Sequence, residues 1–404
     1  MEKPTALEKR IKRHVTAREH PFFVVVSPGL LQVCKGELNH VFKGEKVLSE
    51  VDGGIEFHGS VADCYLANLH LRCASRILMR LSSFTASDFA SLEKKIDQIP
   101  WELYLQGDQA FDIHVTLKKS RLYHSGAVIQ RFNDRIRGRE GFALNPGKQK
   151  QGKPQTLFVR AVNDRFEVSI DSSGELLYIR GLKTQGGKAP LRETLAAGML
   201  MLAGYDGKMP LIDPMCGTGS FALEAAMMAG NIPPGWHREF AFEHWPCFRP
   251  GTWKHMRQEA EPLMGFNTTP RIFSSDQDSK ACDRMTENVI RSGLESLIQV
   301  THRDFFEIDP NSLCQEKGLI LINPPYGLRL GTKKQSETLI RDLFSRFERT
   351  YGGWIVGLIS PFDAKTLKPS FPVKTHVLFH GGLELFYLTG TVRGKGQGSC
   401  DPPS

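Results

Sequence analysis

Short apolar runs alternate with amphipathic segments in the first part of the chain. Between Pro21 and Phe84, the segments FFVVVS, GLLQVCKGEL, KVLSEVDGG, GIEFHGS, CYLANLHLRCASRI and LMRLSSF predict a strand, a helix, two hairpin strands, a helix and a strand. Such a βαββαβ order is typical of ferredoxin-like domains. We therefore predict a ferredoxin-like domain over residues 1–86.

The middle of the chain predicts a second domain over residues 87–180. DFASLEKKIDQI has the spacing of an amphipathic helix, and FDIHVTLKKSRLYHSGAVIQRFNDRIRGR predicts a strand, a basic turn and a helix. The polar segment NPGKQKQGKPQ predicts a loop. TLFVRAVNDRFEVSIDSSGELLYIRG then predicts two or three strands, because Asn163-Asp164 and Ser173-Gly174 are turn signals.

After LKTQGGKA, which predicts a hinge, strands and helices alternate through a third predicted domain over residues 186–393. This alternation favours a mostly parallel, doubly wound α/β sheet. A ligand of such a sheet binds outside the carboxyl ends of the strands, close to the point where the strand order reverses. Polar side chains that directly follow these strands are therefore the candidate site residues.

The chain is basic, with a formal net charge of +8 and a pI near 9.0. Between residues 116 and 165, twelve Lys and Arg stand against three Asp and Glu. Such a patch indicates either a polyanionic partner such as nucleic acid or an ordinary solvated face. The eight cysteines form no C-x-x-C pair, so we expect neither a metal site nor a disulfide framework. The sequence shows no signal peptide and no run of eighteen apolar residues, which predicts a cytoplasmic protein.

A glycine-rich turn follows the first strand of the third predicted domain, in LIDPMCGTGSFALEAA. Asp213 stands at the strand end, and Gly217 and Gly219 would let a ligand approach the backbone before the next helix begins. A dinucleotide is disfavoured, because the turn lacks the full G-x-G-x-x-G pattern and Asp213 would repel a pyrophosphate. A merely structural turn also fits. A zwitterionic amino-acid ligand tolerates the carboxylate better, and S-adenosylmethionine is such a ligand.

Two more carboxylates follow the next two strands. Asp276 in IFSSDQDS could accept both ribose hydroxyls of a nucleoside cofactor. Asp304 in THRDFF could accept a hydrogen bond from the adenine amino group while Phe305 packs on the ring. Each carboxylate alone fits an ordinary helix cap equally well. Three of them after successive strands favour a nucleoside cofactor.

The fourth strand of this domain ends in a rigid polar loop, in LILINPPYGLRLG. Pro324 and Pro325 cannot continue a strand ladder, so the strand ends at Asn323. The Asn323 side-chain oxygen and the Pro324 carbonyl could accept the two N–H bonds of an exocyclic amine, and Tyr326 could stack on its base. The alternative is a Pro-Pro loop with a chance asparagine. The pattern predicts methylation of an exocyclic amine on a planar base.

DPMCGTGSFALEAA, NPPYGLRLG and GGKAPLRETLAAGML together resemble the THUMP-domain RNA guanine-N2 methyltransferases, in particular the N-terminal half of bacterial 23S rRNA enzymes of the RlmL kind. GSVADCYLANLHLRCASRILMRL and IPWELYL extend the resemblance toward the N-terminus. It implies a ferredoxin-like domain, a THUMP RNA-binding domain and a Rossmann-like class I S-adenosylmethionine-dependent methyltransferase domain. One departure is IRGLK at Ile179 to Lys183, where relatives often have KRGYR.

The resemblance also implies roles for individual residues. The target guanine would be held by Asn323, Pro324, Pro325 and Tyr326. The cofactor would be held by Asp213, Met215, Cys216, Gly217, Thr218, Gly219, Ser220, Asp276, Asp304, Phe305, Thr194 and Arg192. A covalent role for Cys216, of the kind found in enzymes that attack pyrimidine C5, is the less favoured interpretation because amine methylation needs no covalent intermediate.

RNA contacts are expected from basic and aromatic side chains of the second predicted domain, namely Lys118, Lys119, Arg121, Tyr123, Arg131, Arg135, Arg137 and Arg139. A base inside a helix would have to be flipped out to reach Asn323. The expected substrate is a guanosine in 23S rRNA, with tRNA as the nearest alternative. A DNA adenine-N6 methyltransferase and a non-catalytic RNA-binding assembly factor stay open as further alternatives. We expect a monomer without the second methyltransferase domain of related two-activity proteins.

Overall fold

The chain folds into two units, each built around a seven-stranded sheet. The computed structural model describes residues 4–107, 109–139, 153–183, 191–265, 271–325 and 332–394. The first unit comprises Met1–Val26, Lys35–Leu177 and Arg238–Glu259, and the second comprises Ser27–Cys34, Tyr178–His237 and Ala260–Ser404. Most of the predicted loop NPGKQKQGKPQ and of the predicted hinge LKTQGGKA lies outside the described residues.

The elements in the first part of the chain follow the predicted order. The strands are β1 (His20–Val26), β2 (Leu48–Val51), β3 (Gly54–Gly59), β4 (Ala74–Thr85), β5 (Phe111–Lys118), β6 (Gln155–Val162) and β7 (Arg165–Asp171). The helices are α1 (Ala6–Ile11), α2 (Leu31–Val41), α3 (Val61–His70), α4 (Phe89–Asp97) and α5 (Ser125–Arg137), with short helical turns at Lys12–Thr16 and Trp101–Leu103.

One continuous sheet joins the first two predicted domains. Its strand order is β2-β3-β1-β4-β7-β6-β5, and β4 pairs antiparallel with β7 at the junction. The predicted turn between β6 and β7 is present, because Asn163 and Asp164 both adopt positive φ angles of 51° and 63°. Alternate residues of β6 are fully buried, as expected for a strand with one face on a core.

A segment from later in the chain also belongs to the first unit. Arg238–Glu259 contains a 3-10 turn at Ala241–His244 and most of helix α8 (Pro250–Ala260). Phe242 stacks on Tyr65 with ring centroids 4.4 Å apart, and this contact fixes the segment on α3. The predicted boundaries placed these residues in the third domain. Sequence pattern does not reveal which of two cores an aromatic-rich segment will join.

The second unit alternates strands and helices. Its strands are β8 (Leu211–Asp213), β9 (Ile272–Asp276), β10 (Ile298–His302), β11 (Leu319–Ile322), β12 (Ile355–Ser360), β13 (Lys374–His380) and β14 (Leu383–Thr391). Its helices are α6 (Glu193–Leu202), α7 (Ser220–Ala229), α9 (Ser279–Ser292), α10 (Pro310–Leu313), α11 (Lys333–Thr350) and α12 (Ala364–Leu367), with 3-10 turns at Glu261–Leu263 and Phe305–Glu307.

The second sheet has the order β10-β9-β8-β11-β12-β14-β13. Strand β14 runs antiparallel to both neighbours, whereas β10, β9, β8, β11 and β12 pair in parallel. The order reverses after β8, so the switch point lies between β8 and β11. Helix α11 covers this sheet with Ile340, Leu343 and Phe347, which are at most 1% exposed and hold the strands in a rigid core. Among the residues described, no helix has the length and apolar character needed to cross a membrane.

Candidate active site

Four polar side chains stand at the carboxyl edge of the parallel sheet, as the sequence predicts. Asp213 ends β8, Asp276 ends β9, Asp304 follows β10 by two residues, and Asn323 directly follows β11. Strands β8 and β11 are adjacent, and their register puts Asn323 two residues past the level of Asp213. At about 3.3 Å per strand residue, this offset is about 7 Å along the sheet. The switch point therefore lies between Asp213 and Asn323.

Asp213 is a buried carboxylate for which the described residues supply no hydrogen-bond donor. It is 1% exposed, and neither side-chain oxygen accepts a hydrogen bond from a described residue. Burial, together with the nearby negative charge of Asp276, raises the pKa of Asp213 to about 8, while the Ala222 backbone N–H, which lies nearby without completing a hydrogen bond, and the Lys183 ammonium act in the opposite direction. The site thus holds an acceptor that would be stabilised by a cationic donor from a ligand.

The glycine-rich turn brings backbone close to this carboxylate. Gly217 and Gly219 adopt positive φ angles of 54° and 81°, which favour glycine. A Cβ on Gly219 would come within 1.9 Å of the Met285 sulfur, whereas a Cβ on Gly217 would point into open space. The turn is closed by the Gly219 N–H, which donates to the Cys216 carbonyl at 2.7 Å. The open side at Gly217 is where a ligand can approach.

Asp276 ties this turn to the next strand. Its Oδ2 accepts the Gly217 N–H at 3.0 Å, and its Oδ1 accepts the Asp278 N–H at 3.0 Å. Both oxygens therefore already accept backbone hydrogen bonds, although a carboxylate has lone pairs for further donors. The predicted ribose contact stays a prediction, and the structure adds a role in shaping the turn.

The remaining predicted residues of the turn are largely buried. Met215 packs against the core, Thr218 is 9% exposed, and the Thr218 carbonyl accepts from the Asn288 side chain at 3.4 Å. Cys216 is 7% exposed, and burial together with the carboxylates of Asp213 and Asp276 raises the pKa of its thiol. Because the thiolate is the nucleophilic form, these surroundings argue against covalent catalysis by Cys216.

Lys183 joins the turn to α6, and sequence reasoning missed it. Its Nζ donates to Ser220 Oγ at 2.7 Å and pairs with Glu193 at 2.7 Å. The Ser220 hydroxyl in turn donates to the Leu191 carbonyl at 2.6 Å. The only signal in the sequence was the segment IRGLK at Ile179 to Lys183, which ends in this lysine and departs from the family resemblance.

The two other predicted contributors lie at the start of α6. Thr194 is 1% exposed within the first turn of the helix. Arg192 is exposed, and its guanidinium lies 5.3 Å from the Tyr178 ring centroid. Both residues flank Leu191 or Glu193, which Ser220 and Lys183 contact, but among the described side chains neither one pairs with Asp213.

The two residues of the predicted adenine contact, Asp304 and Phe305, lie in different surroundings. Asp304 caps the following 3-10 turn, since its Oδ1 accepts the Phe306 N–H at 2.9 Å. Phe305 is 1% exposed and stacks on Tyr351 with centroids 5.9 Å apart, so its ring belongs to the core rather than to a ligand surface. Phe306 is 39% exposed. Two consecutive aromatic residues give no sequence signal for which ring turns inward, and the structure points to Phe306 as the accessible one.

Like Asp213, Asn323 has a side-chain oxygen to which none of the described residues donates. Its side-chain oxygen is buried and accepts no hydrogen bond from the described part of the chain. Pro324 is buried and Pro325 is partly buried beside it, which restricts the loop as predicted. Tyr326 lies outside the described residues, so its stacking role stays a prediction.

The predicted basic residues divide into two groups. The turn after β5 presents exposed side chains of Lys118, Lys119, Arg121 and Tyr123, and those of Arg121 and Tyr123 are 78% and 71% exposed. The Arg121 backbone N–H donates to Asp164 Oδ1 at 2.6 Å, whereas its guanidinium makes only a long ion pair with that carboxylate, at 3.8 Å, within the described residues. This turn keeps the properties expected of an RNA-binding surface.

The arginines of α5 are engaged within the first unit, which narrows the predicted basic strip. Arg131 pairs with Glu93 at 3.0 Å, Arg135 donates to Asp97 at 2.9 Å, and Arg139 donates to the Ile99 carbonyl at 2.8 Å. Arg131 and Arg135 are four residues apart and therefore lie on one side of α5, facing acidic residues of α4, whereas Arg139 lies just beyond the end of α5. Arg137 lies elsewhere on the helix, with its guanidinium 5.4 Å from the Phe111 ring centroid.

Three family models match successive parts of the chain. The RlmL ferredoxin-like domain matches residues 21–78, the THUMP domain matches residues 86–171, and the RMKL-like methyltransferase domain matches residues 180–366. The predicted ferredoxin-like, THUMP and S-adenosylmethionine-dependent methyltransferase folds are thereby confirmed.

Two curated relatives and one solved structure show the extent of the similarity. Ribosomal RNA large subunit methyltransferase K/L from Psychromonas ingrahamii is 32% identical over 346 residues, which are 84% of this chain and 46% of the relative. Putative RNA methyltransferase YpsC from Bacillus subtilis is 32% identical over 304 residues, which are 74% of this chain and 78% of the relative. The structure of a predicted N6-adenine-specific DNA methylase from Listeria monocytogenes is 27% identical with a TM-score of 0.80, covering 94% of this chain and 97% of that one. The chain spans about half the length of the K/L relatives that it matches.

Proposed function

Since this chain belongs to the family of RMKL-like methyltransferases that also carry an RlmL ferredoxin-like domain and a THUMP domain, we propose that it methylates RNA. The methyl donor is S-adenosylmethionine, and the acceptor is the N2 amine of a guanosine in structured RNA. The preferred substrate is 23S rRNA, in keeping with the names of the K/L relatives.

The observation that carries this proposal is the pair of unsatisfied acceptors at the switch point. Asp213 and Asn323 follow adjacent strands, and both present buried oxygens that no described residue donates to. Leaving a buried acceptor without a donor costs about 1–3 kcal/mol, so a ligand with N–H groups would be favoured there. An α-ammonium suits the Asp213 carboxylate, and an exocyclic amine suits the Asn323 amide oxygen.

The donor set fits S-adenosylmethionine. Bound there, the cofactor supplies a methyl group activated by its sulfonium. Asp213 would hold the α-ammonium, the open side of Gly217 leaves room beside the turn, and Asp276 would meet the ribose while keeping that turn in place. These residues would bind the cofactor and orient it toward the acceptor, and such positioning lowers the barrier to a bimolecular transfer.

Asn323 prepares the acceptor nitrogen. The lone pair of an exocyclic amine is delocalised into the base, which makes the nitrogen a poor nucleophile. When the Asn323 oxygen and the Pro324 carbonyl accept its N–H bonds, the nitrogen is favoured in a pyramidal form with the lone pair turned toward the donor. The neighbouring prolines hold these acceptors in place, because a proline fixes its own φ angle.

RNA is favoured over DNA as the substrate class. The Listeria monocytogenes structure is named as a DNA methylase, and the Asn-Pro-Pro chemistry suits adenine N6 as well as guanine N2. However, the THUMP model matches 86 residues of the chain, 86–171, and its β5–α5 turn exposes cations and Tyr123. Phosphate contacts and base stacking by such side chains suit a structured RNA.

The test is incubation of purified protein with methyl-labelled S-adenosylmethionine and, separately, undermethylated 23S rRNA, bulk tRNA and duplex DNA, followed by nucleoside analysis. We expect N2-methylguanosine in the rRNA. Label in tRNA alone would reassign the substrate, N6-methyladenosine in DNA would replace the proposed reaction, and cofactor binding without any label would contradict it.

A matched pair of variants tests the role of Asn323. Asn323→Ala removes an unpartnered acceptor, so we expect turnover to fall at least about 100-fold, in line with the loss of one transition-state donor or acceptor. Affinity for the cofactor should stay nearly unchanged. Asn311→Ala, at an exposed position in the same unit, serves as the control and should behave like the parent protein. Equal loss of turnover and cofactor affinity in Asn323→Ala would contradict the assigned role.

A further inference from the structure

Lys183 is a largely buried cation beside the proposed methionine end of the cofactor. Its side chain is 12% exposed, and Glu193, its ion-pair partner, is 14% exposed. Its Nζ also donates to Ser220, the first residue of α7, directly after the glycine-rich turn. Its charge favours the ionised form of Asp213, so the two side chains lie close enough to interact.

The ammonium of Lys183 keeps one N–H to offer. An ammonium has three donors, and Glu193 and Ser220 take two of them. No acceptor for the third occurs among the residues that the structure describes. Burying a lysine is costly unless its charge and its donors are satisfied, so a further anionic acceptor would be favoured at this position.

The proposed cofactor also brings an anion, and the cation among the predicted cofactor residues, Arg192, is exposed with its guanidinium 5.3 Å from the Tyr178 ring centroid. The amino-acid end of the cofactor carries both an α-ammonium and an α-carboxylate, and the carboxylate needs a cation or several N–H donors. Asp213 matches only the ammonium. We propose that Lys183 binds the α-carboxylate of S-adenosylmethionine, which rests on the proposed function and adds a binding residue to it.

The charges of the site fit this assignment. Ionised Asp213, Glu193 and the Lys183 ammonium together carry a net charge of −1. S-adenosylmethionine carries an ammonium, a carboxylate and a sulfonium, with a net charge of +1. Lys183 would bind the carboxylate and Asp213 the ammonium of the amino-acid end, while the ion pair with Glu193 orients Lys183.

The test compares two ligands that differ only in the carboxylate. Isothermal titration measures the affinities for S-adenosylmethionine and for decarboxylated S-adenosylmethionine in the full chain and in Lys183→Met. We expect Lys183→Met to weaken binding of S-adenosylmethionine roughly 10- to 100-fold, the range for a hydrogen bond to a charged group. Affinity for the decarboxylated ligand should change less than about 3-fold. Lys183→Arg should restore most of the lost affinity, because arginine also binds carboxylates.

Two further variants separate binding from folding. Lys365→Met removes an exposed lysine on α12 of the same unit and should leave both affinities unchanged. Lys183→Met combined with Glu193→Gln removes both charges of the pair, so an unpaired Glu193 cannot account for a loss. Thermal unfolding without ligand shows whether each variant is folded.

The outcomes distinguish this inference from the proposed function. Equal loss for both ligands in Lys183→Met would mean that the lysine only positions the turn, and no loss for either would mean that it plays no part; both results overturn the inference. If the parent protein binds neither ligand, the proposed function itself fails.

Discussion

The unpartnered carboxylate of Asp213 predicts that cofactor binding releases a proton. In the cofactor-free protein burial raises the pKa of Asp213 from 3.8 to about 8, so the carboxyl is about nine-tenths protonated at pH 7. An α-ammonium beside it favours the carboxylate form. Binding at pH 7 should therefore expel close to one proton from the wild-type protein and none from Asp213→Asn.

This linkage fixes the sign and size of the pH dependence. Below the raised pKa, the proton must leave before the ammonium can pair, so the dissociation constant should fall about tenfold between pH 6 and pH 7. The gain in affinity should level off above pH 8, where most of the Asp213 carboxyl is ionised before the ligand binds. In Asp213→Asn the affinity should be weaker at pH 8 and nearly independent of pH between 6 and 7.

Whereas cofactor affinity should rise with pH, the stability of the ligand-free protein should fall. A carboxyl with a raised pKa keeps its proton in the folded state and loses it in the unfolded state, so the free energy of unfolding falls as pH rises from about 4 to about 8. The shift of about 4 pH units sets an upper limit of about 6 kcal/mol on this loss, at 1.36 kcal/mol per unit, and water reaching the carboxylate would reduce it. The free energy of unfolding of Asp213→Asn should lack this pH-dependent loss.

Isothermal titration at pH 7 in two buffers of different ionisation enthalpy counts the protons released, and thermal unfolding at pH 5 and pH 8 follows stability. The ligand's own amine titrates near pH 8, so its titration is measured separately. Asp213→Asn is the matched control, since it keeps the shape of the side chain. Equal proton release in both proteins, or parallel pH profiles, would refute the assignment of the proton to Asp213.

Three further predictions address other residues. Cys216→Ala should keep methyl transfer within a few-fold of the parent rate, whereas a covalent mechanism would be abolished, as steady-state kinetics can show. Arg180→Met should destabilise the second unit by roughly 3–5 kcal/mol in denaturant unfolding, because it removes one partner of the buried Arg180–Glu224 ion pair; an unfolding midpoint equal to the parent's would contradict this. Arg121→Ala should weaken RNA binding and reduce the salt slope of log K by about 1, while Arg135→Ala, whose side chain is already paired, should change that slope less.

Much of the fold could be predicted because its signals are local. Strands β11 and β12 are short apolar runs, as expected for buried strands. Helix α11 repeats its buried residues every three or four positions, as expected for an amphipathic helix. The shared sheet was harder, because the pairing of β4 with β7 joins residues 78–85 to residues 165–171. The sequence could not predict that residues 238–259 belong to the first unit, because their aromatic side chains would suit either core.

The site was predictable at the strand ends and less so between them. Asp213, Asp276 and Asn323 follow from where strands stop, and the structure places all three at one edge of the sheet. Lys183 was not predictable in the same way, because its partners are distant in sequence. They are Glu193 at the start of α6 and Ser220 at the start of α7. A lysine in a loop carries no periodic signal, and only the tertiary structure shows that its charge is buried.

The structure also ranks residues that the sequence treats as equals. Asp276 and Asp304 accept backbone N–H groups from the loops that follow them, so each would serve the fold even without a ligand. Asp213 and Asn323 accept none from the described residues, and their burial therefore disfavours the ligand-free state. A carboxylate after a strand has the same sequence signature in both cases, since the difference depends on whether the next loop turns back to donate. Substitution of Asp276 should consequently cost stability and cofactor affinity together, whereas Asp213→Asn should cost affinity alone.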